Sequence, residues 1–372
     1  MKNLKRMTAL CLVLLMVLSF AGCHKKNEIA VTIGDVEFTS AYYMCALINA
    51  DSEAKSKVQE NLAEENKDEE STDASAQEDI DYYAEKIDDK DFVTWVEDKA
   101  MESLKEIAAY KTLCKEAKVE PKEEDIQNAE YYASMYWSSY GYGAYFEPNG
   151  VSQATYTNYM TDSYYAEAYF EHVYGKDGEK EIASETVLEK MYENFLIADV
   201  LDATFSSEDT DDTKAALKTK LEGYVTDLKE GKKTFEQVYH EHNGTSAEEE
   251  HKAEEETEES AEPKPKDEHA TILGAKDTAY ESDQFDTVKE MKVGDVKLIE
   301  LEDGTGYKLV VKQDIKADEY YAENLDMVTR HLIADEEYEK DIADYAKKLN
   351  ADVNDYAVKQ FKVKKIVEPS YE

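Results

Sequence analysis

The N-terminal segment constrains this chain most, because it decides where the chain folds and where its folded part begins. Basic residues at positions 2, 5 and 6 precede an apolar stretch from Met7 to Phe20, and the small residues Ala21 and Gly22 follow. A basic start, a short apolar run and small residues at the cleavage position are typical of a secretory signal, not of a membrane-spanning helix. We therefore predict that residues 1–22 are a signal peptide and that the remaining chain folds outside the cytoplasm.

Cys23 directly follows Ala21-Gly22, and this order resembles the lipobox of bacterial lipoproteins. In that family the cysteine becomes the lipid-bearing first residue after cleavage. Phe20 stands where the family usually has leucine, and this replacement is also apolar. The resemblance implies lipidation at Cys23, a tether over residues 23–30, and a protein that is lipid-anchored at the extracytoplasmic face of the bacterial cell membrane. A plain secretory signal that happens to contain a cysteine is the alternative.

The strong negative charge limits which partners the chain can bind. The formal net charge is −42, with 85 acidic residues against 43 basic ones. A phosphate backbone would be repelled, which argues against a nucleic acid partner. An anionic lipid surface would also repel the protein, so we expect membrane contact only through the anchor.

Two acidic, low-complexity segments interrupt the chain. Residues 51–79 and 243–268 are rich in charged and small side chains and contain few apolar ones. Such segments bury too little apolar surface to offset an ordering entropy of about 1–2 kcal/mol per residue. We predict that both are disordered; a solvated helix is the alternative for the first.

The remaining pattern predicts an α+β protein. Residues 29–38 alternate around a Gly-Asp turn and predict a hairpin, and apolar residues every four positions over 92–108 predict a long amphipathic helix. Short strands and helices begin at residue 195 and include a hairpin over 296–311, after which the pattern is helical again. A short strand over Val358–Val367 is predicted to close the chain.

Several passages, taken in order, resemble the PrsA- and SurA-type foldases. They are the hairpin at 31–39, the helix–link–helix passage at 114–124, and Leu228–Val238, Ile272-Leu273-Gly274, Phe285–Val296 and Gly306–Val311. The resemblance implies a mainly helical, SurA-N-like chaperone domain built from both ends of the chain, residues 31–194 and 316–372. It also implies a small parvulin-like β-α domain inserted between them at 195–315.

The isomerase resemblance breaks at its catalytic positions. Active parvulins usually carry one histidine in the first strand and one in the last, within an apolar proline pocket; Asp199 and Lys308 stand at those positions here. Phe285 and Met291 match a family segment that usually carries two aromatic residues. The second of these is missing in this chain. The resemblance therefore implies a degenerate isomerase site in which Asp199 and Lys308 form an ion pair. An active isomerase that tolerates both residues is the alternative.

Aromatic residues are concentrated between positions 131 and 170, where glycines interrupt the helical pattern. One interpretation is a core of packed helices that uses tyrosine for bulk. The other is a cleft that holds unfolded chain, because tyrosine binds many partners through a flat, amphipathic ring. We select Tyr136, Trp137, Tyr140 and Tyr142 as candidate client-binding residues.

Cysteines and histidines give no sign of catalysis or of metal binding. Cys45 and Cys114 lie in predicted helices among apolar neighbours, and a disulfide and two buried thiols both remain open. The histidines at positions 240, 242, 251 and 269 are irregularly spaced and match no helical zinc motif. The sequence contains no nucleophile constellation, phosphate loop or nucleotide fingerprint, so no cofactor is expected.

These observations together favour a membrane-anchored extracytoplasmic chaperone whose partners are unfolded exported polypeptides. Three alternatives remain. The first is an active prolyl isomerase, and the second is a non-catalytic surface lipoprotein that scaffolds one specific partner. The third is a solute-binding lipoprotein, which ranks last because the chain lacks the repeated β-α units of two-lobed binders.

Overall fold

The structure, a computed structural model, describes residues 28–65, 80–245, 269–301, 304–317 and 319–368. The predicted signal peptide, Cys23 and most of the tether lie outside the described residues. So do residues 66–79 and 246–268, which make up most of the two segments predicted to be disordered. Within the described part of the chain, no helix is both long enough and apolar enough to cross a membrane.

The predicted α+β class is confirmed, and the helical part is built from both ends of the chain. One compact unit, here called the helical unit, contains residues up to Glu179 and from Glu336 onward; the inserted unit spans Lys180–Asp335. The inserted unit is therefore wider than the predicted 195–315. The reason is that Val187 and Tyr321, which flank the sheet in sequence, share one apolar cluster with Phe195 of its first strand.

The helical unit begins with a hairpin, as predicted. Strands β1 (Ile29–Ile33) and β2 (Val36–Thr39) pair antiparallel, and Gly34 between them has a positive φ of 57° that favours glycine. The helices and small strands of this unit follow in chain order: α1 (Ser40–Glu65), β3 (Lys86–Ile87), β4 (Lys90–Asp91), α2 (Phe92–Ala117), α3 (Glu123–Ser138), α4 (Tyr142–Phe146), α5 (Gln153–Asp162) and α6 (Tyr164–Tyr174).

Helix α2 confirms the stripe predicted from sequence. Its residues at four-residue intervals from Phe92 to Ala108 are buried. Asp91 caps the N-terminus by accepting a hydrogen bond from the Thr94 amide at 3.1 Å. Lys118 adopts the left-handed conformation and ends the helix. This helix packs on α1, and the two helices contribute much of the core.

The prediction of disorder over residues 51–79 is wrong for its first part. Helix α1 continues to Glu65, and Ala54 and Val58 are buried in the core of the helical unit. They lie four residues apart and extend the apolar face of the helix over α2. Of the second segment, residues 243–245 are described; Asn243 ends a helix and Gly244 caps it.

The prediction of a closing strand over Val358–Val367 is also wrong. The last strand is β9 (Ala351–Val353), which pairs with β1 and completes a three-stranded sheet of order β2-β1-β9. The Asn354 side chain accepts a hydrogen bond from the Ala357 amide and so starts helix α12 (Asp355–Val358). The chain then forms a short 3-10 turn at Val363–Lys365.

The inserted unit is a four-stranded antiparallel sheet of order β6-β5-β8-β7 with helices around it. Its elements are α7 (Ser184–Asn194), β5 (Phe195–Thr204), α8 (Asp211–Lys229), α9 (Phe235–Asn243), β6 (Ala270–Gly274), α10 (Phe285–Lys289), β7 (Val296–Glu300) and β8 (Gly306–Lys312). Helix α11 (Glu319–Ala346) follows, and the boundary between the two units falls within it.

The two faces of this sheet have different partners, because side chains alternate along each strand. Odd-numbered residues of β5, such as Ile197 and Leu201, pack with α7, α8 and α11. Even-numbered residues, such as Leu196 and Ala198, pack with Phe285 of α10. The parity of a residue on β5 therefore determines which face it occupies.

Candidate functional site

Five tyrosines form one continuous aromatic surface on the helical unit. Tyr132, Tyr136 and Tyr140 follow one another at intervals of four residues along α3 and its C-terminal turn, so they share one side of the helix. Tyr131 precedes them on the same helix. Gly141, with a φ of 77°, then turns the chain so that Tyr142, at the start of α4, returns to Tyr136. We call these five residues the tyrosine surface.

Tyr136 is the centre of the tyrosine surface. Its ring stacks on Tyr142 with centroids 5.6 Å apart and on Tyr132 at 6.3 Å, and it meets the edge of Tyr140 at 5.5 Å. Tyr131 contacts Tyr132 edge-to-face at 5.5 Å. Offset-stacked and edge-to-face pairs are the favoured arrangements of aromatic rings, so these contacts hold the five rings in one array.

Four of the five rings are largely exposed to solvent. The exposed fractions are 66% for Tyr131, 63% for Tyr140, 44% for Tyr132 and 42% for Tyr142. Tyr136 is half-buried and packs against the core beneath them. A single exposed aromatic residue needs no explanation, but a contiguous patch on a soluble domain marks an interaction surface.

Trp137 is half-buried and packs against the core beside the tyrosine surface. Its ring lies 5.8 Å from Tyr156 and 6.3 Å from Phe146, both of which are buried. Gly143 makes room for it, since a Cβ at that position would come within 2.9 Å of the indole Nε1. Of the four residues selected from sequence, the structure brings Tyr136, Tyr140 and Tyr142 together and places Trp137 beside them.

Sequence reasoning missed Tyr131 and Tyr132 as members of this surface. Both lie in the aromatic-rich passage, but the period of α3 alone does not show which of its tyrosines face solvent. The buried residues Ala129 and Ala133 mark the inward side of the helix, and Tyr131, two residues from each, points away from that side; for Tyr132 the helical period gives no such signal.

The second candidate site lies on the even-numbered face of the sheet in the inserted unit. Phe285 is buried there against Leu196, Ala198 and Val310, and Met291 packs at the edge of the same cluster. Lys308 lies on the same face of β8, because it is two residues from Val310. Three of the four predicted isomerase-site residues therefore share one face.

Asp199 lies on the opposite face, and the predicted ion pair with Lys308 is wrong. Asp199 is opposite Val311 in the β5–β8 pairing, whereas Lys308 is opposite Asp202. Asp199 is 1% exposed, and its Oδ2 accepts a hydrogen bond of 2.6 Å from the Gln313 side chain. A shift of three positions along a strand reverses the direction of the side chain, which separates Asp199 from the other three residues.

Asp202 is the acidic partner of Lys308. The Lys308 ammonium lies 3.1 Å from Asp202 Oδ1, directly across the two strands, and both side chains are accessible to solvent. An exposed, opposite-charge pair of this kind contributes about 0.2–1 kcal/mol to the sheet. Both side chains of this pair are charged, so neither is an uncharged hydrogen-bond donor at this place on the sheet.

Both cysteines of the described chain are free and buried. Cys114 Sγ donates a hydrogen bond to the Tyr165 carbonyl at 3.3 Å. Burial raises the pKa of the Cys45 thiol well above its usual range, and burial together with the charge of Glu120 raises the pKa of Cys114 to about 11. The reactive thiolate form is therefore disfavoured at neutral pH for both residues.

Three histidines of the inserted unit, His240, His242 and His269, contact tyrosine rings. His269 stacks on Tyr239 with centroids 4.3 Å apart, and His240 Nδ1 is 2.9 Å from Thr245 Oγ1. Among the described residues, no group of three or more His, Cys, Asp or Glu side chains could hold a metal ion. His251 lies outside the described residues.

No family model and no curated protein matches this sequence. The chain is similar in structure to the foldase protein PrsA from Lactococcus lactis, with 15% identity over 74% of this chain and 90% of that chain and a TM-score of 0.36. It is also similar to PrsA from Bacillus subtilis, with 14% identity over 72% of this chain and 91% of that chain and a TM-score of 0.33. Both solved structures are of PrsA foldases.

Proposed function

We propose that this chain is a lipid-anchored, extracytoplasmic chaperone that holds newly exported, unfolded polypeptides on its tyrosine surface. The observation that carries the proposal is the continuity of five tyrosine rings, four of them largely exposed, on one side of the helical unit. A surface that served only as core packing would bury these rings.

Tyrosine suits a surface that must bind many different sequences. Its ring offers a large, flat contact area with an apolar face and a hydroxyl that remains hydrated, and it has few rotatable bonds to immobilise. Unfolded polypeptides expose apolar and aromatic side chains that folded proteins bury. The tyrosine surface can therefore bind many clients through stacking and apolar contacts, without requiring a specific client sequence.

The net charge of the chain supports the same function. At a formal charge of −42, two loaded complexes repel each other. Repulsion keeps complexes with exposed client segments soluble and apart. The predicted anchor at Cys23 would concentrate them where exported chains emerge.

Suppression of aggregation tests this proposal. The purified chain is expected to slow the aggregation of several unrelated reduced clients, as measured by light scattering, because tyrosine-based contacts are tolerant of sequence. Protection of a single client and of no other would favour the scaffold for one specific partner. If no client is protected, the chaperone proposal is wrong.

We also propose that the inserted unit has no useful prolyl isomerase activity. Rotation about an X–Pro bond has a barrier of about 20 kcal/mol. The resemblance implies histidines at positions 199 and 308, whereas here Asp199 and Lys308 lie on opposite faces of the sheet and Lys308 is paired with Asp202. Because Lys308 is charged and paired with Asp202, it cannot serve in the tuned, neutral pair that such a site needs.

Catalysed refolding of a proline-limited substrate measures this activity. We expect a folding rate within about twofold of the uncatalysed rate, since isomerisation alone takes about 10–100 s at 25 °C. Asp199→Asn serves as a control, because Asp199 faces the other side of the sheet. An enhancement like that of an active parvulin, lost in Lys308→Ala but kept in Asp199→Asn, would support the active isomerase instead.

A further inference from the structure

The tyrosine surface lies in a part of the chain without basic residues. Between Lys122 and Lys176 the sequence contains no lysine or arginine. Carboxylates recur over the same stretch, from Glu123 and Glu124 at the start of α3 to Glu171 on α6. A helical surface in a protein with 43 basic residues would ordinarily carry some of them, so the local composition is strongly one-sided.

Carboxylates stand at one edge of the tyrosine surface. Asp125 precedes Tyr132 by seven residues on α3, so the two side chains lie on the same side of the helix two turns apart. Burial raises the pKa of Tyr164 on α6, and the charge of Asp125 raises it further. Beyond Asp125 a groove of about 200 Å³ is lined by the carboxylates of Glu120, Glu167 and Glu171 and by one lysine, Lys122, whose ammonium lies 2.9 Å from Glu171.

Other aromatic rings of this chain carry their own cations. Lys316 lies over the Tyr192 ring at 4.7 Å, Lys214 over Phe205 at 4.9 Å, and Lys111 over Tyr165 at 5.3 Å. Within the described ranges, no lysine or arginine lies over any ring of the tyrosine surface. The π faces of aromatic rings attract cations, so these five rings can receive one from a bound client.

Resting on the proposed function, we infer that the tyrosine surface selects client segments in which an arginine or lysine stands beside an apolar or aromatic side chain. The apolar side chain packs between exposed rings such as Tyr140 and Tyr142. The cation lies over a neighbouring ring face and is attracted by the carboxylates at the Asp125 edge. Arginine is preferred to lysine, because its planar guanidinium stacks on a ring and is more weakly hydrated.

Two labelled, unstructured peptides of equal length test this selectivity on the full chain. One alternates arginine with phenylalanine, and the other replaces each arginine with citrulline, which has nearly the same shape and no charge. By fluorescence anisotropy in 0.1 M salt, the arginine peptide should bind about tenfold more tightly. Part of this preference should disappear at 1 M salt, where the Debye length falls to about 3 Å.

Two matched variants distinguish binding of a cation on a ring face from general electrostatic attraction of the peptide to an acidic protein. Replacing Tyr131, Tyr132, Tyr140 and Tyr142 with phenylalanine keeps the ring faces and should keep the preference for arginine. Replacing the same four with leucine keeps apolar bulk and should bring the two peptides to nearly equal affinity. A leucine variant that keeps the full preference would overturn the inference.

The parent chain alone distinguishes this inference from the proposed function. If it binds both peptides equally, the selectivity is wrong and the chaperone function stands. If it binds neither peptide and protects no client, the proposed function is wrong as well. Both results are obtained without any variant, so an unfolded variant cannot leave the inference undecided.

Discussion

Replacing Cys23 with alanine is expected to release the protein from the membrane. The proposed lipid anchor contributes about 0.8 kcal/mol for each methylene that it buries, so two long acyl chains hold a protein to the bilayer firmly. Without the thiol, no lipid can be attached. In cell fractionation, Cys23→Ala should therefore move from the membrane fraction to the soluble fraction or remain as the uncleaved precursor.

Cys11 provides the matched control for the anchor. It lies in the apolar stretch that the predicted cleavage removes, so Cys11→Ala should leave the protein in the membrane fraction. Intact-mass spectrometry of the parent should show a diacylglycerol thioether on an N-terminal Cys23. An unmodified Cys23 in the mature protein would favour the plain secretory signal.

Elements with strong local signals could be predicted from sequence. The first hairpin follows from alternation around Gly34, and α2 follows from an apolar residue every four positions and the Asp91 cap. In each case the local pattern and the tertiary packing favour the same structure, so the sequence alone is sufficient to predict the element. The hairpin of β7 and β8 is a third example.

Elements that depend on distant partners were predicted less well. The second half of α1 is polar enough to suggest disorder, and it is ordered because Ala54 and Val58 contact a core formed mainly by other segments. Strand β9 is only three residues long, and it forms because it can pair with the free edge of β1. Neither partner can be recognised from the local sequence.

The candidate sites show the same division. Lys308 was placed on the correct strand, but its partner is Asp202 and not Asp199, because strand register is set by the whole sheet. The aromatic passage was recognised, but the separation of Trp137 from the exposed tyrosines depends on how Phe146 and Tyr156 pack beneath it. Composition identifies such a passage, and only packing decides which rings remain at the surface.

Replacing Tyr131, Tyr132, Tyr140 and Tyr142 together with serine is expected to abolish most client binding without unfolding the protein. An aromatic contact contributes about 0.5–1.5 kcal/mol, so loss of four rings should weaken client affinity about 30-fold or more. Substitutions at exposed positions usually change the free energy of unfolding by at most about 0.5 kcal/mol each. The melting transition should therefore remain close to that of the parent.

Two controls show whether a loss of client binding comes from the tyrosine surface itself. One tests damage to the core, and the other tests loss of an exposed tyrosine elsewhere. Trp137→Ala removes a core contact and should lower the free energy of unfolding by roughly 3 kcal/mol. Replacing the exposed Tyr356, which lies outside the tyrosine surface, with serine should change neither stability nor client binding.

The most direct measurement compares the parent with the variant carrying serine at Tyr131, Tyr132, Tyr140 and Tyr142 in suppressing aggregation of unrelated reduced clients. Circular dichroism at the same temperature establishes that both are folded. We predict that the parent keeps several clients soluble and that the folded variant protects none of them appreciably. A folded variant that protects clients as well as the parent would contradict a role for the tyrosine surface in holding clients. An unfolded variant would show that these rings belong to the core, which would contradict it equally.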